Sequence, residues 1–302
     1  MTELIWYLNG EYVPEGQVRI HPLDRGFMVG DTVFDVERTF NGKIFRLKEH
    51  LERLYRSLKY VRTDPGLTLE EMAEVTEEVV RRNEPMREPG GDFSVRQFVT
   101  RGLGGPTGVP MVCVMVTPIS FGRYARFYET GAPVVIPKVR SYSTDSLDSK
   151  IKHYSRMNFA MAQMEAEDVD PDAYAVLLDQ QGNISENIGG NFIIVTNGVI
   201  QTPPDQSILQ GISRMTVIDL AKQLGIPVVE GDLQPYDAYN ADEAFLVTTS
   251  YCVLPVATVD NRRVGHEVPG PITKRLLAAW SEQAGLDIVD QALEWDKRHR
   301  SD

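Results

Sequence analysis

The chain has 302 residues, 42% hydrophobic and 25% charged, a globular balance with length enough for two domains or one large core. Its net charge of −12 and pI near 5.0 set up a field that disfavours nucleic acid and anionic membrane surfaces as partners. Two cysteines, Cys113 and Cys252, are too few and too far apart for a disulfide scaffold or a thiolate zinc site, so neither is expected and a reducing cytoplasm is.

The N-terminal stretch has no basic region followed by a long apolar run, and no segment reaches membrane-spanning length, so a soluble protein is expected. Apolar runs at 5–8 and 12–13 flank Asn9-Gly10-Glu11, a hairpin signal in which Gly10 supplies positive φ. Residues 33–40 read as a strand whose alternation puts Phe34, Val36 and Arg38 on one face and Asp35, Glu37 and Thr39 on the other. Arg38 on that apolar face is either at a strand end in solvent or aimed at an anion. Asn41-Gly42 turns the chain into a second hairpin. Leu47, Leu51, Leu54 and Leu58 then recur at helical spacing, with Arg53 among the basic residues around the stripe. A helix over 68–83 follows, with Thr68 as N-cap and Glu71 as its capping-box partner. Residues 93–100 and 111–117 read as strands. The glycine-rich loop between them, 101–108, lacks the Gly-x-x-x-x-Gly-Lys pattern and a following helix, so it reads as a mobile rim loop and not a phosphate loop.

Residues 124–130 read as a connector between a domain at 1–123 and a second at 131–302. In the second half, strands are expected at 134–139, 173–179 and 244–249, a helix at 153–167, and a hairpin of 192–196 with 199–202 about Asn197-Gly198. Helices are expected at 215–224 and 272–283, with a charged tail over 294–302. The segment Leu209-Gln210-Gly211-Ile212-Ser213-Arg214 opens the first of these helices. It reads either as Ser213 acting as a plain N-cap or as amides of Ile212 and Ser213 presented to a phosphate at a positive dipole end. The hydroxyls of Thr248-Thr249-Ser250 serve an anion or ordinary turn chemistry.

The chemistry centres on Lys152, which ends a loop carrying Asp145, Ser146 and Asp148 and precedes an apolar helical pattern. A lysine desolvated where a loop enters the protein body holds an amine that attacks carbonyls. A lysine serving pyridoxal phosphate also needs an acid partner for the pyridinium nitrogen, and Glu186 is the candidate.

Six blocks in order show that the chain resembles the class IV pyridoxal-phosphate transaminases: Val33-Phe34-Asp35-Val36, the run from Phe45-Arg46-Leu47 to Leu54, Ile151-Lys152-His153, Asn183-Ile184-Ser185-Glu186-Asn187, Leu209-Gln210-Gly211-Ile212-Ser213-Arg214 and Asp242-Glu243-Ala244-Phe245. That group contains branched-chain and D-amino-acid aminotransferases, (R)-amine transaminases and aminodeoxychorismate lyases. The resemblance implies an α/β (α+β) fold of a small N-terminal and a larger C-terminal domain, with pyridoxal 5′-phosphate between them, no metal, and at least a homodimer as the working unit. It implies Lys152 as the cofactor-bonding lysine in preference to Lys150, and Glu186 as the carboxylate on the ring nitrogen. Arg53, Ile212, Ser213 and Thr249 are implied as phosphate contacts. The substrates implied are an amino acid or amine donor and a 2-oxo acid acceptor.

Substrate choice is where the chain departs from each subgroup. Branched-chain enzymes carry tyrosines where this chain has Val29 and Ser94, whereas Arg96 and Arg38 match arginines of those enzymes. D-amino-acid and (R)-amine enzymes use an arginine in the loop after the Val99-Thr100-Arg101-Gly102 strand end, and residues 103–108 contain none. Val36 leans towards those two groups, and Ile151-Lys152-His153 also suits the lyases. Phe34, Arg38, Arg96 and Ser250 are the candidate substrate contacts. Tyr154 and Arg156 are the candidates for the cofactor phenolate oxygen. The expected reaction moves an amino group from a hydrophobic L-amino acid to 2-oxoglutarate, with a D-amino-acid or (R)-amine transaminase, or less directly a lyase, as the alternatives.

Overall fold

The computed structural model describes residues 3–105 and 108–299. Pro106 and Thr107 of the glycine-rich loop, and the last three residues of the charged tail, lie outside the described residues. The chain is a mixed α/β structure that divides into two compact units, Met1–Ile119 with Ile151–Arg156, and Ser120–Lys150 with Met157–Asp302.

The first unit carries β1 (Ile5–Leu8), β2 (Glu11–Pro14), α1 (Arg25–Val29), β3 (Thr32–Phe40), β4 (Lys43–Ile44), α2 (Leu47–Val61), α3 (Leu69–Asn83), β5 (Phe93–Thr100) and β6 (Met111–Pro118). Its strands form one sheet in the order β2-β1-β6-β5-β3-β4. Both Asn-Gly turns sit where the sequence places them, with Asn9 and Asn41 at φ of 48° and 50° ahead of their glycines. The capping box of α3 is also present: Thr68 Oγ1 accepts from Glu71 N at 3.1 Å, and Thr68 N donates to Glu71 Oε2 at 2.7 Å.

The two faces of β3 meet different surroundings. Register pairs Phe34 with Phe98 and Val36 with Arg96 on β5, and β5 in turn pairs Phe98 with Cys113 and Arg96 with Met115 on β6. Phe34, Phe98, Met111 and Cys113 form an apolar cluster to which Leu8, Val36, Met115 and Tyr154 add. Burial in it pushes the Cys113 thiol up to about 12, which makes it a packing residue. Asp35, Glu37 and Thr39 point the other way and are fully buried, and β3 packs against α2. Arg38 is 2% exposed, so it does not end in solvent. Its guanidinium lies 3.8 Å from the Asp92 carboxylate and 4.1 Å over the Phe40 ring. Asp92 also accepts from Thr39 Oγ1 at 2.7 Å and Gly42 N at 3.0 Å, so the anion Arg38 meets is the one that fastens the Asn41-Gly42 turn.

The second unit contains α4 (Phe127–Thr130), β7 (Ala132–Val135), α5 (Met157–Glu167), β8 (Tyr174–Leu178), β9 (Ile184–Asn187), β10 (Asn191–Thr196), β11 (Val199–Thr202), α6 (Ile212–Gln223), β12 (Val228–Glu230), α7 (Pro235–Tyr239), β13 (Glu243–Thr248), β14 (Cys252–Val259), β15 (Arg262–Arg263), α8 (Pro271–Ala284) and α9 (Ile288–His299). Its main sheet runs β12-β11-β10-β13-β14-β7-β8-β9, with an added bridge from β9 to β10. The segment expected as connector lies within the second unit and ends in the short helix α4, with Phe127 and Tyr128 buried and the Tyr128 hydroxyl donating to Tyr251 O at 2.7 Å. β7 stops at Val135, where Ile136 precedes Pro137 and the proline has no N–H for a ladder. The stretch expected as tail is helical to His299, because Trp295 packs on Phe121 at 5.6 Å. Glu243, inside the Asp242-Glu243-Ala244-Phe245 block, caps α8. Its carboxylate accepts from Ile272 N, Thr273 N and Thr273 Oγ1 at 2.7–2.8 Å.

Candidate active site

Each unit contributes a set of functional side chains. In the first unit, the segment Ile151–Arg156 lies along β3 as a short extended strand: Phe34 N donates to Lys152 O at 3.0 Å, Tyr154 N donates to Thr32 O at 3.1 Å, and Val33 bridges His153. This pairing overrides the helical pattern expected from residue 153, so α5 begins only at Met157. Gly30 permits the approach. It sits at φ 68°, and a Cβ there would meet Ser155 Oγ and come within 3.1 Å of Ser155 Cα. The pairing sets Lys152, half-buried, with Nζ 4.8 Å from the centroid of the Phe34 ring. Lys150, by contrast, belongs to the second unit and is held by Asp148 at 2.8 Å on a partly exposed surface. Next to Lys152, burial pushes the His153 imidazole down to about 4, with the charges of Arg156 and Lys152 adding to the shift, so it is neutral near pH 7.

Tyr154 stacks on Phe34 at 4.3 Å, and its hydroxyl accepts from Arg96 Nη1 at 3.3 Å. The Arg96 guanidinium sits 5.7 Å from the same Phe34 ring. The structure therefore brings Lys152, Phe34, Arg96 and Tyr154 around one aromatic ring. Arg38, on the same strand face, is turned to Asp92.

On the opposite face, Arg53 is 4% exposed and grips Asp35 twice, through Nε to Oδ2 at 2.9 Å and Nη2 to Oδ1 at 2.6 Å. His50 Nδ1 lies 2.8 Å from Asp35 Oδ1. Burial alone would raise the Asp35 carboxyl, but the Arg53 charge and the His50 bond outweigh it and hold the group well below the usual range. Burial also keeps His50 neutral, so its Nδ1–H is the donor to Asp35. Asp35, Glu37 and His50 offer atoms within 4.8 Å of one another, close enough to suggest a metal. Arg53 already supplies the positive charge there, which makes the cluster an internal ion pair. The sequence singled out Arg53 but not Asp35, although an acid on the inward face of a strand is a signal that a cation must meet it.

Glu37 lies fully buried beside this pair. Burial, then the nearby Asp35 charge, raises it well above the ordinary value of 4.5. The folded state thus keeps a proton that the unfolded state loses above pH 4.5, so this group lowers stability as pH rises. Replacing it by the neutral isostere, Glu37→Gln, is expected to stabilise the protein by about 1 kcal/mol or more at neutral pH. Melting curves from pH 4 to 8 check this: the variant's advantage should vanish at the acid end. An advantage independent of pH would mean that Glu37 is ionised in the fold.

In the second unit, β9 and the turn before α6 supply the other group. Glu186 is 8% exposed, and its Oε2 accepts from Leu209 N at 2.9 Å. Three residues on, α6 begins, with Gly211 as its N-cap and no side-chain cap. Ser213 lies inside the first turn, so it is not the N-cap. A Cβ at Gly211 would collide with Asn191 Oδ1, and Asn191 Nδ2 donates to Leu209 O at 3.1 Å. The turn is thus fixed in a form that leaves the first amides of α6, with those of Ile212 and Ser213 among them, without a side-chain acceptor from the cap. Thr249 and Ser250, both half-buried, follow β13, and Ser250 O accepts from Tyr124 OH at 2.9 Å.

A lysine amine on an aromatic ring in the first unit, and a buried carboxylate and a helix start suited to an anion in the second, are each the kind of group that a pyridoxal-phosphate enzyme uses. A model of the family described as amino-transferase class IV matches residues 32–259. A putative branched-chain-amino-acid aminotransferase of Methanocaldococcus jannaschii is 38% identical over 295 residues, spanning 94% of this chain and 99% of that protein. The chain is also similar to the T.th. branched-chain amino acid aminotransferase solved with N-(5′-phosphopyridoxyl)-L-glutamate, at a TM-score of 0.84 and 30% identity over 94% of this chain and 95% of that one. The branched-chain aminotransferase of Thermoproteus uzoniensis with norvaline matches at a TM-score of 0.85 and 30% identity, over 97% and 98%. The chain belongs to the class IV aminotransferases, and its cofactor is pyridoxal 5′-phosphate. The residues present fit that group: the capless start of α6 suits a phosphate, and Lys152 suits an aldehyde.

Proposed function

We propose that the chain transfers the amino group of a hydrophobic, branched-chain-type L-amino acid to 2-oxoglutarate in two half-reactions at one site. The observation that carries this reading is the single face on which Lys152 Nζ and the Arg96 guanidinium flank Phe34 among Val36, Phe98, Cys113 and Met115. Such a face can pack an aliphatic side chain and also meet a carboxylate. The named relatives support the choice of substrate. Bound pyridoxal phosphate supplies a carbonyl carbon that receives the amino group and a protonated ring that draws electrons from the substrate Cα. Nζ of Lys152 would take up the proton of the substrate Cα and hold it for return during the transfer. Glu186 keeps the ring nitrogen protonated. Arg53, held in place by its two bonds to Asp35, joins the amides of Ile212 and Ser213 and the Thr249 hydroxyl in holding the phosphate. Phe34, Arg96 and Ser250 contact substrate; Arg38, committed to Asp92, is left out of this set.

A homodimer is part of the same proposal. Leu23, Phe27, Met28 and Val29 expose apolar side chains within seven residues, with Phe27 74% exposed, a patch that suits a second copy of the chain. No helix of the described residues is long and apolar enough to cross a membrane. Cys113 and Cys252 are both buried and neither is in a disulfide, which suits a cytoplasmic enzyme.

The test mixes yellow holoenzyme separately with L-leucine, D-alanine and (R)-1-phenylethylamine and follows loss of the lysine-bound cofactor band. L-leucine should bleach it within seconds. Bleaching by D-alanine or the amine alone would overturn the branched-chain reading in favour of the other transaminases. Silence with all three would favour the lyase.

A further inference from the structure

Resting on that functional reading, one residue of the Lys152 segment, Tyr154, which the sequence offers as a candidate for the cofactor phenolate oxygen, is placed by the structure against Arg96. Tyr154 is fixed at both ends, by its backbone bond to Thr32 O at 3.1 Å and by its ring stacked on Phe34 at 4.3 Å with Phe98 tilted 6.1 Å away. Its hydroxyl oxygen accepts from Arg96 Nη1 at 3.3 Å, while its own proton meets no acceptor among the described residues. Burial raises the phenol above its ordinary value of 10.0 and Arg96 opposes that only in part, so the group remains a donor at neutral pH. Arg96 Nε is likewise buried without a hydrogen-bond partner among the described residues.

We propose that Tyr154 is a specificity-determining residue, whose hydroxyl joins Arg96 in receiving the side-chain carboxylate of the dicarboxylic substrate while its ring walls the aliphatic one. A phenol that accepts from a guanidinium is polarised to donate more strongly to an anion, so the pair reads a carboxylate better than either group alone. The same ring, stacked on Phe34 beside Val36 and Met115, offers an aliphatic side chain a dry surface. A transaminase that alternates between the two substrate types needs both properties in one place. The phenols absent at Val29 and Ser94 are thus replaced by one carried two residues beyond the reactive lysine.

Tyr154→Phe keeps the ring and removes only the hydroxyl. Measured as half-reactions of holoenzyme, kcat/KM for L-glutamate relative to L-leucine should fall about tenfold to a hundredfold, through KM. Tyr154→Leu should lower both, and cofactor absorbance with melting temperature will show that each variant is folded and loaded. An unchanged glutamate-to-leucine ratio in Tyr154→Phe overturns the inference. Wild-type enzyme that reacts with L-leucine and ignores L-glutamate also overturns it, leaving the broader functional reading in place. Wild-type enzyme that reacts with neither overturns both.

Discussion

Lys152→Ala is expected to lose turnover by on the order of 10⁴ or more and to lose the absorbance of the lysine-bound cofactor. On the proposed roles, two functions vanish with one amine: the nucleophile that bonds the cofactor and the base that moves the Cα proton. The fold should tolerate the change. The segment is held to β3 by backbone bonds from Phe34 N to Lys152 O and from Tyr154 N to Thr32 O, and alanine keeps both. A variant that keeps the yellow colour and a wild-type rate would transfer the role to another lysine. Lys150 is a poor substitute, because Asp148 holds it 2.8 Å away in the second unit.

Glu186 yields the second large effect, and the choice of replacement decides what is learned. Glu186→Gln keeps an oxygen to accept from Leu209 N but removes the negative charge, so the rate should fall by about 10²–10³ with little loss of stability. Glu186→Ala removes the acceptor as well and leaves a largely buried amide unpaired, adding about 1–3 kcal/mol of destabilisation. Steady-state rates and melting temperatures of the pair separate charge from scaffolding. Equal rates for Glu186→Gln and wild type would remove Glu186 from the chemistry. The lysine-bound cofactor should still form in both variants, since Lys152 is untouched.

Features that depend on neighbours along the chain were legible in the sequence. The Asn-Gly turns, the Thr68–Glu71 capping box and the split faces of β3 all follow from backbone preference or period-two alternation. Features that depend on distant partners were not. Nothing near Arg38 announces Asp92, and nothing near Arg53 announces Asp35, because each pair closes only when strand and helix have packed. The helical periodicity after Lys152 was real but yielded for four residues to strand pairing with β3. Of the two readings of the α6 start, the one with Ser213 as N-cap fails, because the cap is Gly211, two residues earlier, where Asn191 leaves no room for a side chain. Roles at the site came from the order of six sequence blocks and not from any single residue.

The placement of Lys152 has a consequence for how this protein can be cut and recombined. By contact, Ile151–Arg156 belongs to the first unit, yet the chain on both sides of it belongs to the second. A gene fragment ending at Ile119 would encode the aromatic ring and the arginines but omit the strand that carries the amine. Its complement would carry the amine without the β3 edge that holds it extended. Chimaeras that exchange halves with a relative at residue 119 therefore also exchange the partner of β3, and the graft must match Thr32, Val33 and Phe34 to the incoming lysine segment. Inheritance of the two halves is coupled through six residues, so natural or engineered shuffling at that boundary should succeed only when the strand and its edge travel from the same parent.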